Sequence, residues 1–293
     1  MKSSIQRRDF FAMACAFVPE APDQPAVPES LCPVEKIQPI SRDGHKGMGF
    51  LRKPPNSMRM PAVVIIHGTL REKPADQLRE HTLSATPTRF LKAGYVIADI
   101  TYRSRDDDPQ SRVSFEDCLA AVEYVRKLPY VDPSSMVVYG CSGGGDLALE
   151  LAAATELCAL VPEEPASMMF TGVFNGKTPK KGKSFAASDT SEMLANPKPF
   201  FTAEYRKSTR EKIARIRCPL LIVQGDQHVV NRFNAEILIP ELRSAGKKLE
   251  VITYPGQNHC FGFGGREESG KMFRDVHAFL RKHVPTRPKE MAN

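Results

Sequence analysis

The sequence lacks three kinds of pattern that would point to particular classes of protein. It contains no CxxC pair, and its seven cysteines are scattered, which argues against a zinc site and against a dense disulfide framework. Most of the cysteines are therefore expected to be small buried apolar side chains. Beyond the N-terminal segment no apolar run is long enough to span a membrane, and no internal repeat is evident. What remains is a globular composition, with 41% hydrophobic and 26% charged residues.

The chain carries a formal net charge of +7, but its basic residues form no stripe that could follow a phosphate backbone. The densest basic cluster lies in a Gly- and Pro-containing segment without interleaved aromatic residues, and it consists of Lys177, Lys180, Lys181 and Lys183. This pattern favours a solvated loop and predicts no nucleic-acid partner. A preference for an acidic substrate is the alternative that the charge leaves open.

The N-terminal segment, residues 1–33, has two interpretations. Arg7 and Arg8 precede a short apolar run at 10–18, and this order resembles a twin-arginine export signal. The run is far too short to cross a membrane, and a Pro-rich linker follows it. The chain is accordingly expected to be exported to the periplasm or secreted, or else to be cytoplasmic with a disordered N-terminal tail.

From residue 34 onwards, buried strands alternate with helices. Continuous apolar runs are typical of strands that are buried on both faces, and they occur at 61–68, 95–102, 134–140, 167–174 and 219–225. Segments with helical spacing lie between them. Alternation of this kind predicts an α/β fold with a mostly parallel sheet of about eight strands, covered by helices on both faces.

One segment, residues 175–210, interrupts this alternation. It has no clear periodicity and is too long for an ordinary connection, so we interpret it as a cap or lid inserted before the last two strands. Its apolar residues include Met193, Leu194 and Phe201. Ordinary packing within the lid is the favoured explanation for them, and the lining of an acyl or aromatic pocket is the alternative.

The clearest chemical signal is the G-x-S-x-G pattern at 140–144, which lies between a predicted strand and a predicted helix. A sharp strand-to-helix turn would present the hydroxyl of Ser142 as a nucleophile. Glycine is required at 140 and 144 because side chains there would collide with neighbouring backbone. The N–H of Gly143, at the start of the helix, could then stabilise an oxyanion.

A serine nucleophile needs a base, and His259 is the favoured candidate among seven histidines. It follows the last predicted strand, so it should lie at the same edge of the sheet as Ser142. His67 ends an earlier strand and is expected to shape the loop that follows. The backbone amides of that loop, around Thr69 and Leu70, are the candidate second oxyanion donors.

Five stretches in this order resemble the α/β-hydrolase fold: VVIIHG, YVIADITYR, VDPSSMVVYGCSGGG, LLIVQGD and YPGQNH. Within that fold they look most like the prolyl-oligopeptidase and dienelactone-hydrolase domains, over roughly residues 35–285. The resemblance implies a Ser–acid–His triad, with Ser142 as nucleophile and His259 as base. It also implies that residues 34–293 form one α/β-hydrolase domain.

Two departures from these families favour an esterase. Dienelactone hydrolases proper have a cysteine nucleophile, whereas the equivalent residue here is Ser142. Peptidases of the oligopeptidase type usually carry an additional propeller domain, and this chain has no room for one.

The acid of the triad departs from the pattern of the resembling families. In the resembling families it commonly follows the glycine of the penultimate strand by three residues, and here that position is His228. Asp226 is the nearest carboxylate and is predicted to be the acid, although it is displaced by roughly 6–7 Å along an extended chain. A turn-forming aspartate is the alternative for Asp226. His228 could be a structural partner of Asp226, a substrate contact, or the mark of a degraded triad.

The predicted function is that of a serine hydrolase, specifically an esterase that cleaves a carboxylic ester through an acyl-enzyme on Ser142. A small serine peptidase acting on short peptides is one alternative. A catalytically weakened hydrolase-fold protein that binds a ligand is the other. No metal or cofactor is expected, the predicted partner is a small-molecule ester or short peptide, and the sequence does not determine an oligomeric state.

Overall fold

The structure is a computed structural model. It describes residues 26–56, 58–68, 71–104, 112–174, 192–263, 267–286 and 290–291. The N-terminal export-like segment up to residue 25, the predicted oxyanion donors Thr69 and Leu70, the lysine cluster, and residues 175–191 of the predicted lid lie outside these ranges.

The described chain forms a sheet of eight strands, which confirms the predicted sheet. The strands are β1 (Glu35–Ile37), β2 (Met48–Arg52), β3 (Met60–Ile66), β4 (Val96–Thr101), β5 (Val131–Cys141), β6 (Ala159–Glu163), β7 (Leu220–Gly225) and β8 (Leu249–Tyr254). Their order is β1-β2-β4-β3-β5-β6-β7-β8. β2 is antiparallel to both β1 and β4, and every other neighbouring pair is parallel.

The helices follow the strands that they connect. They are α1 (Ala75–Thr82), α2 (Ala85–Lys92), α3 (Val113–Arg126), α4 (Gly143–Ala152), α5 (Ala203–Arg215), α6 (Val229–Phe233), α7 (Ile239–Ser244) and α8 (Glu267–His283). A π-helical stretch (Asn234–Leu238) joins α6 to α7, and short 3-10 turns occur at Lys198–Phe200 and Phe261–Phe263.

The central strands are buried on both faces because helices cover each side of the sheet. Alternate side chains of β3 point to opposite faces. Val64 belongs to an apolar cluster that includes Leu147 of α4, whereas Val63 belongs to a second cluster that includes Phe279 of α8. The unbroken apolar runs in the sequence are therefore explained by two cores, one on each face of the sheet.

The predicted strand at 167–174 is wrong. The strand at this place in the sheet is β6, Ala159–Glu163, and residues 168–172 form turns. The backbone N–H of Phe170 donates to the carboxylate of Asp146 on α4, at 2.5 Å, instead of pairing with a strand. The apolar run is explained by tertiary packing, because Met168 and Met169 belong to a third apolar cluster.

That third cluster also receives the described part of the predicted lid. Met193, Leu194 and Phe201 are buried in it together with Val230 and Phe233 of α6. Packing is thus the role that the structure gives these side chains. Part of the stretch that lacked periodicity is nevertheless helical, since α5 begins at Ala203.

Candidate active site

The G-x-S-x-G segment forms the sharp strand-to-helix turn that its sequence predicts. β5 ends at Cys141, α4 begins at Gly143, and Ser142 between them has φ 53° and ψ −116°. A Cβ at Gly140 would lie 2.2 Å from the carbonyl oxygen of Gly144, and a Cβ at Gly144 would lie 2.2 Å from that of Ile66. Only glycine is tolerated at such approaches, so the tight packing of backbone forces the strained conformation onto Ser142.

The backbone of Ser142 is also tied to the end of β6. Its N–H donates to the carbonyl of Glu163 at 3.0 Å, and its carbonyl accepts from the N–H groups of Asp146 and Ala166. The nucleophile therefore lies at the carboxyl end of the central strands, held from both sides. Because α4 starts directly after it, the partial positive charge of the helix N-terminus falls beside the hydroxyl.

His259 lies in the loop after β8, and its carboxylate partner is Glu164. The Nδ1 atom of His259 is 2.7 Å from Oε2 of Glu164, and the side chains are only 3% and 0% exposed. Glu164 directly follows β6 and has φ 42°, a left-handed conformation that is uncommon for a non-glycine residue. A buried carboxylate against one imidazole nitrogen is the arrangement that orients a catalytic base.

Glu164 is held by hydrogen bonds from three further groups. Its Oε1 accepts from the N–H of Gly225 at 2.5 Å and from Nδ2 of Asn231 at 3.0 Å, and its Oε2 accepts from the N–H of Cys260 at 2.5 Å. Burial alone would raise the pKa of Glu164, but His259 and these donors outweigh burial, so the net pKa lies below its ordinary value. The carboxylate is therefore charged at neutral pH.

The structure does not bring Asp226 to His259. The Asp226 side chain is exposed, and its Oδ1 accepts from the N–H of Gly256 at 2.9 Å and from Nε2 of Gln227 at 2.6 Å. Its contacts are those of an aspartate that stabilises a turn. The end of β7 still serves the site, because it supplies the Gly225 amide to Glu164.

The sequence contained a signal for Glu164 that the misplaced strand concealed. The run at 167–174, predicted as the strand before β7, holds no carboxylate at its end. The strand is 159–163, and the two glutamates Glu163 and Glu164 stand at its carboxyl end.

Glu163 is buried beside Glu164 but faces a different set of donors. Its carboxylate accepts from the hydroxyl of Tyr139 and, at 2.9 Å, from the N–H of Gly262. Burial raises the pKa of Glu163 to about 8, and the neighbouring charge of Glu164 adds to this effect. The two glutamates together anchor the backbone just after His259.

His228 packs against the ring of His259. The ring centroids are 4.1 Å apart and the planes differ by 21°. Nδ1 of His228 accepts from the N–H of Val230 at 3.3 Å and so caps the start of α6. Burial, with the nearby His259 second, lowers the pKa of His228 to about 4, so the ring is neutral at pH 7. These contacts make His228 a neighbour of the base, and they do not include Asp226.

His67 is buried at the end of β3, where it precedes the loop with the predicted oxyanion donors. Its Nε2 is 3.0 Å from Oγ1 of Thr101, its Nδ1 is 2.5 Å from the carbonyl of Gly68, and its ring stacks on Tyr102 at 4.6 Å. Burial lowers the pKa of His67 to about 3. These contacts hold a neutral His67 against Gly68 and the end of β4, and its influence on the predicted oxyanion donors stays a prediction.

A disulfide joins Cys141 to Cys260, and the sequence did not indicate it. The two Cα atoms are 6.2 Å apart although the residues are separated by 119 positions. Of the described cysteines outside this disulfide, Cys32, Cys118 and Cys218 are buried, as expected from the sequence, and Cys158 is half-buried.

One cluster among the described residues has the donor types and spacing of a metal site. It comprises Glu164, His259 and Cys260, whose donor atoms lie within 4.8 Å of one another. The sulfur of Cys260 is bonded to Cys141, and Nδ1 of His259 faces Glu164. Because these donors are already engaged, the cluster serves the His259 loop and does not offer a ligand set.

The chain is similar to known proteins in sequence and in fold. The profile of the prolyl oligopeptidase family (Peptidase_S9) matches residues 87–286, more than half of the chain. The fold, the turn at Ser142 and this match define a serine hydrolase of the α/β-hydrolase fold. The chain belongs to the prolyl oligopeptidase family.

A curated relative is the quorum-quenching protein AidA of Acinetobacter baumannii (strain MDR-ZJ06). It is 28% identical over 164 residues, which are 53% of this chain and 52% of the relative. The chain thus spans about half the length of this relative.

Solved structures with the same fold include esterases and peptidases. Carboxyl esterase 2 of the mycorrhizal fungus Tuber melanosporum has a TM-score of 0.64 at 18% identity, with 92% of this chain and 93% of that chain covered. A puromycin-hydrolyzing peptidase of Mycobacterium tuberculosis also has a TM-score of 0.64, at 19% identity, with 94% of this chain but 42% of that chain covered. At such identities the likeness shows the fold alone.

Within the described ranges, no helix combines the length and the apolar character that crossing a membrane requires.

Proposed function

We propose that the protein is an esterase that hydrolyses a carboxylic ester through an acyl-enzyme on Ser142, with His259 as base and Glu164 as acid. The observation that carries the proposal is the buried contact of 2.7 Å between His259 Nδ1 and Glu164 Oε2, on a loop that is bonded to the residue before Ser142. Asp226 is replaced in the triad by Glu164.

Each group has a role in this reaction. His259 accepts the proton of the Ser142 hydroxyl through Nε2 while the oxygen attacks the ester carbonyl. Glu164 keeps the proton on Nδ1 and stabilises the imidazolium as it forms. The N–H of Gly143 donates to the developing oxyanion, and the amides of Thr69 and Leu70 remain the proposed second donors. His259 then protonates the leaving alcohol, and water releases the acid in a second cycle.

An ester is favoured over a peptide by the extent of the structural matches. Carboxyl esterase 2 of Tuber melanosporum corresponds to this chain over nearly the full length of both proteins. The puromycin-hydrolyzing peptidase corresponds over less than half of its own chain. A small serine peptidase is therefore the second candidate. The contact of His259 with Glu164 counts against the third candidate, a protein whose triad has decayed.

The test of the enzymatic proposal is labelling by a fluorophosphonate probe. Wild type should become labelled and the Ser142→Ala variant should not. Thr171→Ser, a conservative change at a buried hydroxyl on another segment, is the matched control and should label like wild type. No labelling of folded wild type would refute the proposal.

The substrate class is tested separately. We expect hydrolysis of p-nitrophenyl acetate with kcat/KM at least about 10²-fold above that for aminoacyl-nitroanilides. The reverse preference would establish the peptidase reading, because both substrates release a chromophore from the same acyl-enzyme mechanism.

The proposal extends to the domain organisation and the compartment. We propose that residues 34–293 form one domain with a lid at 175–210, supported by the packing of Met193 and Phe201 on α6.

We also propose export, because disulfides such as Cys141–Cys260 persist in oxidising compartments. Recovery of the protein from the cytoplasmic fraction alone would contradict export.

A further inference from the structure

The disulfide connects two parts of the molecule that differ in how firmly they are held. Ser142 follows β5, a central strand that has β3 on one side and β6 on the other. His259 follows β8, which is an edge strand of the sheet formed by the described residues and pairs with β7. Cys141 immediately precedes the nucleophile and Cys260 immediately follows the base, so the bridge spans the ends of β6 and β7. It links the rigid centre of the sheet to a loop at its edge.

The loop that carries His259 is not held by secondary structure of its own. Between Tyr254 and the turn at 261–263 it contains no helix or strand, and Pro255, Gly256 and Asn258 are exposed. Irregular exposed backbone of this kind is where local motion concentrates. The base therefore depends on long-range contacts for its position.

Three kinds of contact hold the loop. Glu164 and Glu163 accept hydrogen bonds from the N–H groups of Cys260 and Gly262, and the ring of His228 covers His259. The disulfide is the covalent contact among the three. Cys260 also has φ 56°, a left-handed conformation that costs free energy and persists only where surrounding contacts impose it.

The reach of the bridge limits where the base can lie. The two cysteine Cα atoms are 6.2 Å apart, and each neighbour adds one residue step of 3.80 Å, so the Cα atoms of Ser142 and His259 are at most about 14 Å apart. Without the bridge, the chain between the two residues sets no comparable limit, because 119 positions separate the cysteines.

We propose that Cys141 and Cys260 are positioning residues, whose disulfide holds the imidazole of His259 at working distance from the hydroxyl of Ser142. Hydrolysis by this chain therefore requires the oxidised form. The inference rests on the proposed function, since it concerns the same pair of catalytic groups. It adds that covalent oxidation is a condition of their alignment.

Reduction would remove this constraint in a defined step. A dithiol such as dithiothreitol supplies two electrons and two protons, the bond between the sulfurs of Cys141 and Cys260 breaks, and two thiols form. Dithiothreitol is oxidised to its cyclic disulfide. The loop with His259 then keeps its hydrogen bonds to Glu163 and Glu164 and the stacked ring of His228, but it loses its covalent link to the elbow.

The first experiment compares two double variants. Cys141→Ala with Cys260→Ala removes the bridge, and Cys158→Ser with Cys218→Ala changes two cysteines that are free. We expect the bridge variant to lose about 10²-fold in kcat for p-nitrophenyl acetate with KM within about threefold, because small misplacement of a catalytic group affects the chemical step. The control variant should keep both constants. Each assay is run well below the measured Tm of that variant.

The second experiment uses wild type and does not depend on folding of a variant. Treatment with dithiothreitol should lower kcat, and removal of the reductant with reoxidation should restore it, while near-UV circular dichroism shows that the chain stays folded. Thiol titration counts the two thiols released. The control variant should respond like wild type, and the bridge variant should not respond.

The outcomes separate this inference from the proposed function. Full kcat in a folded bridge variant, or in wild type whose bridge is shown by titration to be reduced, would overturn the inference alone. Oxidised wild type that neither hydrolyses the ester nor takes up the fluorophosphonate would overturn the proposed function, and the inference with it.

Discussion

The carboxylate of Glu164 has little freedom. It is fully buried, and its oxygens accept from Gly225 at the end of β7, Asn231 of α6 and Cys260 of the loop after β8, with Nδ1 of His259 2.7 Å from Oε2. A carboxylate in such a setting can hold an imidazole in one orientation because its own orientation is over-determined. An exposed carboxylate such as Asp226, whose neighbours are Gln227 and Gly256, does not meet that requirement.

Replacement of the two candidate acids should give opposite results. Glu164→Gln should lower kcat by about 10³–10⁴-fold, because the imidazole loses its stabilising charge and its tautomer. Asp226→Asn should leave kcat within a few-fold of wild type. Steady-state ester hydrolysis at pH 7.5 measures both, with Tm as the control for folding. Loss of activity in Asp226→Asn with Glu164→Gln unaffected would restore the assignment made from sequence.

His228 contributes two separable contacts, a ring stacked on His259 and a nitrogen that caps α6. His228→Asn keeps a capping acceptor and removes the ring, whereas His228→Phe keeps a ring and removes the acceptor. Since aromatic pairs contribute about 0.5–1.5 kcal/mol, we expect the Asn variant to lose about 2–10-fold in kcat. The Phe variant should retain kcat but lose about 1 kcal/mol of stability. Kinetics and thermal unfolding distinguish the two, and equal kcat values would show that the stack is irrelevant to the base.

At the scale of elements, the turn between β5 and α4 depends on contact with the end of β3. A Cβ on Gly144 would lie 2.2 Å from the carbonyl oxygen of Ile66 and 2.4 Å from that of His67. These are backbone atoms, which cannot swing aside as a flexible side chain would. The position of the nucleophile and the packing of the central strands are therefore set by the same backbone contacts.

Gly144→Ala should therefore be damaging in both stability and activity. We expect a loss of about 3 kcal/mol or more in the free energy of unfolding, because overpacking here displaces backbone. Labelling by the fluorophosphonate should also be lost. Gly47→Ala is the matched control. A Cβ on Gly47 would lie 3.3 Å from its nearest neighbour, and Gly47 is far along the chain from Ser142. Chemical denaturation measures the difference, and similar values for the two variants would contradict the argument.

At the scale of the whole molecule, the site makes stability depend on pH. Burial and Glu164 raise the pKa of Glu163 to about 8 from an ordinary value of 4.5, so the folded state holds a proton that the unfolded state releases. Between these two values the folded state binds more protons, and the contribution of Glu163 to stability falls as the pH rises.

Glu163→Gln should remove this dependence. As the pH rises from about 5 to about 9, the difference in Tm between wild type and variant should move in favour of the variant. Glu268→Gln, at an exposed position of α8, is the control and should show no such trend. Thermal unfolding monitored by circular dichroism across this pH range provides the measurement. A constant difference for Glu163→Gln would mean that the carboxyl is ionised throughout.

Local sequence determined much of the fold and, within the site, the positions of Ser142 and His259. Apolar runs and helical spacing predicted most strands and helices, though not β6, because backbone sterics and burial act over a few residues. The elbow at Ser142 followed from the same kind of reasoning, since the two glycines and the turn lie within five residues. His259 could be selected because chain order placed it at the correct edge of the sheet.

Only the tertiary structure decided which carboxylate reaches His259, that Cys141 is bonded to Cys260, and that His228 stacks on the base. Each of these contacts joins loops from different strands, so it depends on the order and relative position of β5, β6, β7 and β8. A sequence pattern indicates the environment of a residue within its own helix or strand. Contacts between elements are determined by how the whole sheet assembles. The run at 167–174 is apolar because it packs in a turn, and its sequence alone does not distinguish it from a buried strand.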